Sequence, residues 1–329
     1  MTDNAGDRVP IDAQSIDAPL SNAAIFLVVT VKDSAAAFKA VCDTLGGVDD
    51  LVKTVGFRDL GARLSCIVGI GSNFWQRLHP EARPKELKPF AAIQGARHNA
   101  PSTAGDLLFH IRAERPDICF EFERLLLLSL GDGVQVEDEV QGFRYFDARD
   151  LLGFVDGTAN PNGPDLPEST LVGSEDAQFC GGSYVVVQKY LHDMNAWTQV
   201  PTHTQEQIIG RTKIDNVEIN DDDAPRKSHK SLATIVDEQG VEHDILRDNM
   251  PFGRAGQGEF GTYFIGYSRY LWVVEKMLQR MFVGAPEGAY DRLLDFSTAR
   301  TGCTFFAPTR RMLQSIAQAA ADRASGNNG

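Results

Sequence analysis

The apolar residues of this chain recur with two periods, and the switches between them outline its elements. Residues 24–31 (AIFLVVTV) form an unbroken β-branched and aromatic run, as in a strand covered on both faces. Residues 64–70 and 107–113 read the same way. After the first and third of these strands, apolar positions recur every three to four residues. That period predicts helices from residue 34 to about 45 and from about 115 to 130, where Cys119, Phe122, Leu125 and Leu126 share one face. Strand-like residues 134–146 close a first half. The order then repeats: a strand at 182–190, a helical stretch from His192, a strand at 261–268, a helix from about 270 to 282 and a closing strand at 303–307.

The stretches DLLFHIRAERPDICFEFERLL and GTYFIGYSRYLWVVEKMLQRM match as strand-plus-helix units, which makes the chain a duplication. The expected fold class is α+β, with two split β-α-β domains, each an antiparallel sheet with helices on one face. Residues 21–152 make the first domain and 153–315 the second. An arm (1–20) and a tail (316–329) are expected to be flexible. Residues 153–175, rich in Gly and Pro, join the halves as a linker or binding loop.

Composition narrows the function classes. The chain has 329 residues, enough for two packed domains, and a net charge of -13, which argues against nucleic acid because phosphate binding needs a basic face. No apolar run is long enough to span a bilayer, and the polar start MTDNAGDRVP lacks the regions of a secretion signal. Cys42, Cys66, Cys119, Cys180 and Cys303 are odd in number, scattered and without CxxC spacing. That pattern argues against a disulfide framework, a zinc site or an iron–sulfur site, and fits a reducing cytoplasm.

Three polar groups stand in apolar or glycine-rich settings. Asp156 lies in Gly153-Phe154-Val155-Asp156-Gly157, where apolar residues give way to polar ones. An Asp-Gly pair alone is an ordinary turn. The flanking glycines, however, let the backbone approach a flat ligand, and the junction suits a carboxylate aimed into a pocket. His229 follows the acidic run Asp221-Asp222-Asp223 and precedes a short strand expected at 232–235. It is a candidate metal ligand that needs an acceptor on its other ring nitrogen, a part for which Asp291 and Asp295 both qualify. His110, within a strand, and His192, at a helix start, read as structural. Around Arg247, an extended backbone puts Arg247 and Asn249 on one side and Asp248 on the other. A solvated strand edge is the plain reading, but Met250-Pro251-Phe252-Gly253 beside it suits a pocket wall. Arg247 keeps its charge and can meet negative charge that develops in a reaction.

Together these segments resemble the dye-decolourising peroxidases. The family's GxxDG motif stands at 153–157, its R-x-N-M-P-F-G context at 247–253, and the phrases DLLFHIRAE, GFVDGT and FGTYFIGYSR are similar to its shorter, cytoplasmic bacterial class. The likeness runs from about residue 18 to 308. It implies two ferredoxin-like domains with haem b (iron protoporphyrin IX) in the C-terminal half and His229 as the axial iron ligand. It implies Asp156 and Arg247 as catalytic groups with Asn249 beside them, and leaves open which of the two leads. Arg211, in Ile209-Gly210-Arg211-Thr212-Lys213, would pair a haem propionate, with Gly157 and Phe264 also around the cofactor. The implied activity is reduction of hydrogen peroxide through an oxoferryl intermediate, with oxidation of dyes, phenols or other small one-electron donors. A haem-handling or iron-release protein is the alternative use of the same site. Tyr184, Tyr190, Trp197, Tyr267, Tyr270 and Trp272 are candidates for carrying electrons through surface aromatics, and each also reads as core. A homo-oligomer is expected. An encapsulin shell is a partner known in the family, but residues 324–329 show no apolar anchor for one.

Overall fold

The computed structural model describes residues 13–324. Strand β1 (Ala23–Val31) is buried along nearly its whole length, as its unbroken apolar run requires. Helix α1 (Ala35–Gly56) begins where the Ser34 hydroxyl accepts a hydrogen bond from the Ala37 N–H at 3.1 Å. It runs well past the expected end near residue 45. Each glycine of the Gly46-Gly47 pair costs roughly 1 kcal/mol in a helix, but Val48 and Val55 continue the buried face beyond them. Strands β2 (Ser65–Gly71) and β3 (Leu107–Ala113), helix α2 (Pro116–Leu130) and strand β4 (Val134–Phe143) complete the first half. The strand order is β2–β3–β1–β4, antiparallel throughout.

The second half contains β5 (Ser183–His192), α3 (Met194–Gln199), α4 (Thr202–Ile209), α5 (His229–Ala233), β6 (Leu246–Arg247), β7 (Met250–Arg254), β8 (Glu259–Ser268), α6 (Leu271–Phe282), β9 (Ser297–Ala299) and β10 (Cys303–Ala307). Its order is β6–β8–β5–β10, with β7 also on β8 and β9 also on β5. In both halves the first strand lies between the third and fourth, and the second lies beyond the third. Both are therefore ferredoxin-like, and the two matched sequence stretches are the third strand and following helix of each. The halves join edge to edge where β10 pairs with β2, Phe305 opposite Gly71 and Phe306 opposite Ile70. One ten-stranded sheet results, and the seam covers an edge in each half.

The sheet feeds two cores. In β1, Ile25, Leu27 and Val29 pack with the helices, while Ala24, Phe26 and Val28 face a second core shared with Val185, Tyr263, Ile265, Tyr267 and Phe305 of the other half. No helix among the described residues is long and apolar enough to cross a membrane.

Several expectations are corrected. The arm expected at 1–20 is already packed at its described end. Gln14 is buried and acts as a strand partner, its side chain donating to Val68 O (2.9 Å) and Pro308 O (2.8 Å) and accepting from Val68 N (2.7 Å). The described part of the tail expected at 316–329 is the end of helix α7 (Arg310–Ala324), which buries Ile316, Ala317, Ala320 and Ala321; residues 325–329 lie outside the described residues. His192 ends β5 instead of opening a helix, because β9 and β8 pair with the strand up to that point, and Asp193 caps α3 after it. The strand expected at 232–235 is half helix: Leu232 and Ala233 end helix α5, which Ser228 caps, and only Ile235 belongs to a strand, a two-residue one with Val236. Tyr184, Tyr190, Trp197 and Tyr267 are buried, so they are not surface aromatics; Tyr270 and Trp272 are half-buried.

Candidate active site

A cavity of about 240 Å³ opens between the helix-covered face of the second half and the segments that precede it. Strand alternation builds one wall. Tyr190 and His192 of β5 and Thr262 and Phe264 of β8 face the cavity, while Tyr263, Ile265 and Tyr267 face the second core. Helical spacing builds another: Val274, Met277, Leu278 and Met281 of α6 lie on one stripe. Leu152, Phe154, Ile209 and Ile245 add to an apolar lining.

Of the seven histidines, His192 and His229 line this cavity. His192 has both ring nitrogens engaged, Nδ1 with Ser297 Oγ at 2.8 Å and Nε2 with Thr262 Oγ1 at 2.9 Å, and burial pushes it down to about 4. His229 is held on one nitrogen only, Nδ1, which lies 2.6 Å from Asp291 Oδ2. Asp291 is fully buried, and its other oxygen accepts the Leu293 N–H at 2.9 Å. Burial opposes charge on the His229 ring, but the Asp291 carboxylate outweighs it, and the imidazole sits above its usual range. The acceptor left open between two aspartates is thus Asp291; Asp295 instead meets His98 Nε2 at 2.9 Å and the Tyr290 hydroxyl at 3.1 Å. The His229 backbone is positioned by Asp221, whose oxygens accept from Ser228 N (2.6 Å) and Ser231 Oγ (2.7 Å).

The loop at 153–157 brings a carboxylate to the same cavity. Gly153 and Gly157 adopt φ of 94° and 76°, which side chains disfavour. Asp156 Oδ1 accepts the Gly157 N–H at 2.7 Å, and Oδ2 accepts from Asn249 Nδ2 at 3.0 Å. The Asn249 side-chain oxygen Oδ1 in turn accepts the Ile265 N–H at 3.1 Å, so strand β8 orients the amide that orients the carboxylate. Arg247 and Asn249 both line the cavity and Asp248 points away, as alternation predicts. Asn160 fixes the Arg247 backbone from both sides, accepting from its N–H at 3.0 Å and donating to its carbonyl at 2.7 Å. The buried Arg247 Nε has no hydrogen-bond partner.

Arg211 also lines the cavity, but its guanidinium turns to its own loop, donating to Asn216 Oδ1 at 2.7 Å and to the Asn216 carbonyl at 2.8 Å. Gly157 and Phe264 both line the cavity. Sequence reasoning missed Asn160, although it sits four residues after Asp156 in the same polar stretch. It also missed Asp150, a cavity carboxyl that burial pushes up to about 7.

The residues fit a haem. The cavity is largely apolar, one imidazole nitrogen is unengaged and a buried arginine Nε lacks a partner. Among the described residues no three His, Cys, Asp or Glu side chains gather to hold a bare metal ion. A lone imidazole suits a metal whose other positions are filled by a ring.

Residues 13–144 match the family model for the N-terminal part of Dyp-type peroxidases, and residues 147–312 match the C-terminal one. The chain belongs to the Dyp-type peroxidase family. It is 54% identical over 91% of its length to a dye-decolorizing peroxidase of Mycobacterium tuberculosis, of which 89% is covered. DyPB from Rhodococcus jostii RHA1 superposes with a TM-score of 0.90 at 56% identity, covering 92% of this chain and 97% of that one; variants of that protein have been solved in complex with heme. The encapsulated DyP-type peroxidase from Mycobacterium smegmatis superposes with a TM-score of 0.89 at 52% identity, covering 92% and 97%. A deferrochelatase of Escherichia coli matches more distantly, 28% identical over 40% of this chain and 34% of its own length. The chain is a haem-dependent peroxidase.

Proposed function

We propose that His229 would hold the haem iron through Nε2 and that Asp156, Arg247 and Asn249 would handle hydrogen peroxide in the same cavity. The observation that carries this reading is the contrast between the cavity's two histidines: His192 has no nitrogen to offer, and His229 has one, with Asp291 on the other. Bound haem supplies iron that accepts electrons from a donor and passes them to peroxide.

The chain's own residues do the rest. Asp291 keeps Nδ1–H fixed and raises the basicity of the ligand nitrogen. Asp156 takes a proton from the bound peroxide and returns it to the oxygen that leaves as water. Asn249 fixes the carboxylate for that transfer. Arg247, with an unengaged Nε, meets the negative charge that grows as the O–O bond breaks. Arg211, which lines the cavity, would hold a haem propionate. The reducing substrates are proposed to be small one-electron donors, including dyes and phenols.

The test uses two variants. His229→Ala is expected to lose the imidazole-ligated Soret spectrum, and a retained spectrum moves the ligand elsewhere. Arg247→Leu is expected to keep the Soret band but slow the reaction with peroxide by ~10²-fold, the scale of losing one charge-stabilising donor; an unchanged stopped-flow rate removes Arg247 from the reaction.

A further inference from the structure

One buried polar cluster takes no part in that chemistry. Behind the cavity wall, four rings from both halves stack in a row. Tyr263 and Phe26 lie 4.2 Å apart between centroids, Phe26 and His110 4.7 Å, and His110 and Tyr267 6.1 Å. Tyr263 and Tyr267 sit on β8, the strand whose Thr262 and Phe264 face the cavity, so the stack lies one strand thickness from the proposed haem site. The two tyrosines differ in one respect. The Tyr267 hydroxyl lies 2.8 Å from His110 Nδ1, whereas the buried Tyr263 hydroxyl has no partner. His110 Nε2 makes no hydrogen bond and faces Asp248 Oδ2 at 3.9 Å. That carboxylate favours the tautomer with the proton on Nε2, which leaves Nδ1 to accept from Tyr267.

We propose that Tyr267, hydrogen-bonded to His110, is an internal oxidisable site that takes up one of the oxidising equivalents left after peroxide is reduced. The inference rests on the peroxidase reading, which supplies the oxidant. Tyr267 gives one electron to the oxidised cofactor. Its hydroxyl proton moves along the hydrogen bond to Nδ1, leaving a neutral tyrosyl radical beside an imidazolium whose Nε2–H faces Asp248. An external one-electron donor later restores the phenol as the proton returns. At rest the proton belongs to Tyr267. Burial, and then the Arg112 charge, hold His110 well below the usual imidazole range; burial holds the Tyr267 hydroxyl well above the usual phenol range. Tyr263 lacks an acceptor, so its oxidation would leave a buried, charged phenol, and the geometry selects Tyr267 between them.

The experiment mixes holoenzyme with hydrogen peroxide in the absence of reductant, freezes it rapidly and records the electron paramagnetic resonance spectrum. A tyrosyl signal is expected in the parent and in Tyr263→Phe, and its loss in Tyr267→Phe. His110→Gln is expected to alter the signal's coupling to an exchangeable proton. An unchanged signal in Tyr267→Phe, its loss in Tyr263→Phe, or no tyrosyl signal in the parent overturns the proposal. The Soret change recorded in the same mixing separates the two readings: no response to peroxide sinks the peroxidase reading, whereas a normal response without the Tyr267 signal sinks only this one. Imidazole nitrogen NMR of the cofactor-free chain checks the pair independently; a proton on Nδ1 of His110 also counts against it.

Discussion

His229 and Asp291 are separated by 62 residues in the chain, yet they form the shortest contact that the proposed iron ligand makes. Replacing Asp291 by Asn removes the charge while keeping the shape. The expected result is a haem reduction potential shifted upward and a loss of roughly 10–100-fold in cofactor affinity or activity. Spectroelectrochemical titration checks it, and an unshifted potential would make the pair merely structural. At this scale much of the site is legible in the chain itself. The alternation of Arg247, Asp248 and Asn249 follows from an extended backbone, and the glycines around Asp156 announce a turn that only they adopt easily. The choice of Asp291 over Asp295 is not legible, because both lie near one short turn and only the packing of Tyr290 and His98 draws Asp295 away. Asn160 escaped notice because its task is to hold backbone, which no spacing advertises.

At the scale of elements, the proposed peroxide-handling segment is fastened from behind. Asp248, between β6 and β7, is buried against Arg112 of β3 at 2.8 Å, and Arg112 also donates to the Ser15 carbonyl. Asp248→Asn leaves a buried guanidinium uncompensated, so a loss of about 3–5 kcal/mol is expected in denaturant unfolding. Replacing Arg112 and Asp248 together by apolar residues should cost less than either single change; strict additivity would show that the pair does not interact. Helix α2 carries the opposite case. Glu123 is buried, its Oε1 has no partner, and burial, then the Glu139 charge, push it up to about 7. A carboxyl raised in the folded state costs stability above its unfolded range, and the cost levels off once pH passes the folded value. Glu123→Gln should therefore stabilise by up to ~3 kcal/mol near pH 8 and by almost nothing near pH 4; an equal gain at both points to another cause. Element types followed well from periodicity, but their ends did not. Gly46-Gly47 looks like a stop only until the apolar face beyond it is known to be covered, and His192 looks like a helix start only until its strand partners are known.

For the whole molecule, the joined sheet and helix α7 tie the two halves together. Helix α7 belongs by sequence to the second half but packs on α1 of the first, burying Leu313 and Ile316. Leu313→Ala is expected to cost about 2–5 kcal/mol and to lower one cooperative transition monitored both at the Soret band and by far-ultraviolet circular dichroism. Two separated transitions would mean that the halves melt independently. The duplication was readable from the two strand-plus-helix units, whereas the seam between β2 and β10 and the clasp of Gln14 were not, since they join residues from opposite ends of the sequence. The Arg112–Asp248 pair has a consequence in time. During synthesis the strands of the first half, with Arg112 in one of them, emerge before Asp248 is made. Arg247 and Asn249 flank that same aspartate, so the residues proposed to act on peroxide reach their place only when the second half docks on the first. On the proposed roles, a chain interrupted before that moment would lack the groups that turn peroxide into an oxidant, at a stage when it has no mature structure to contain one.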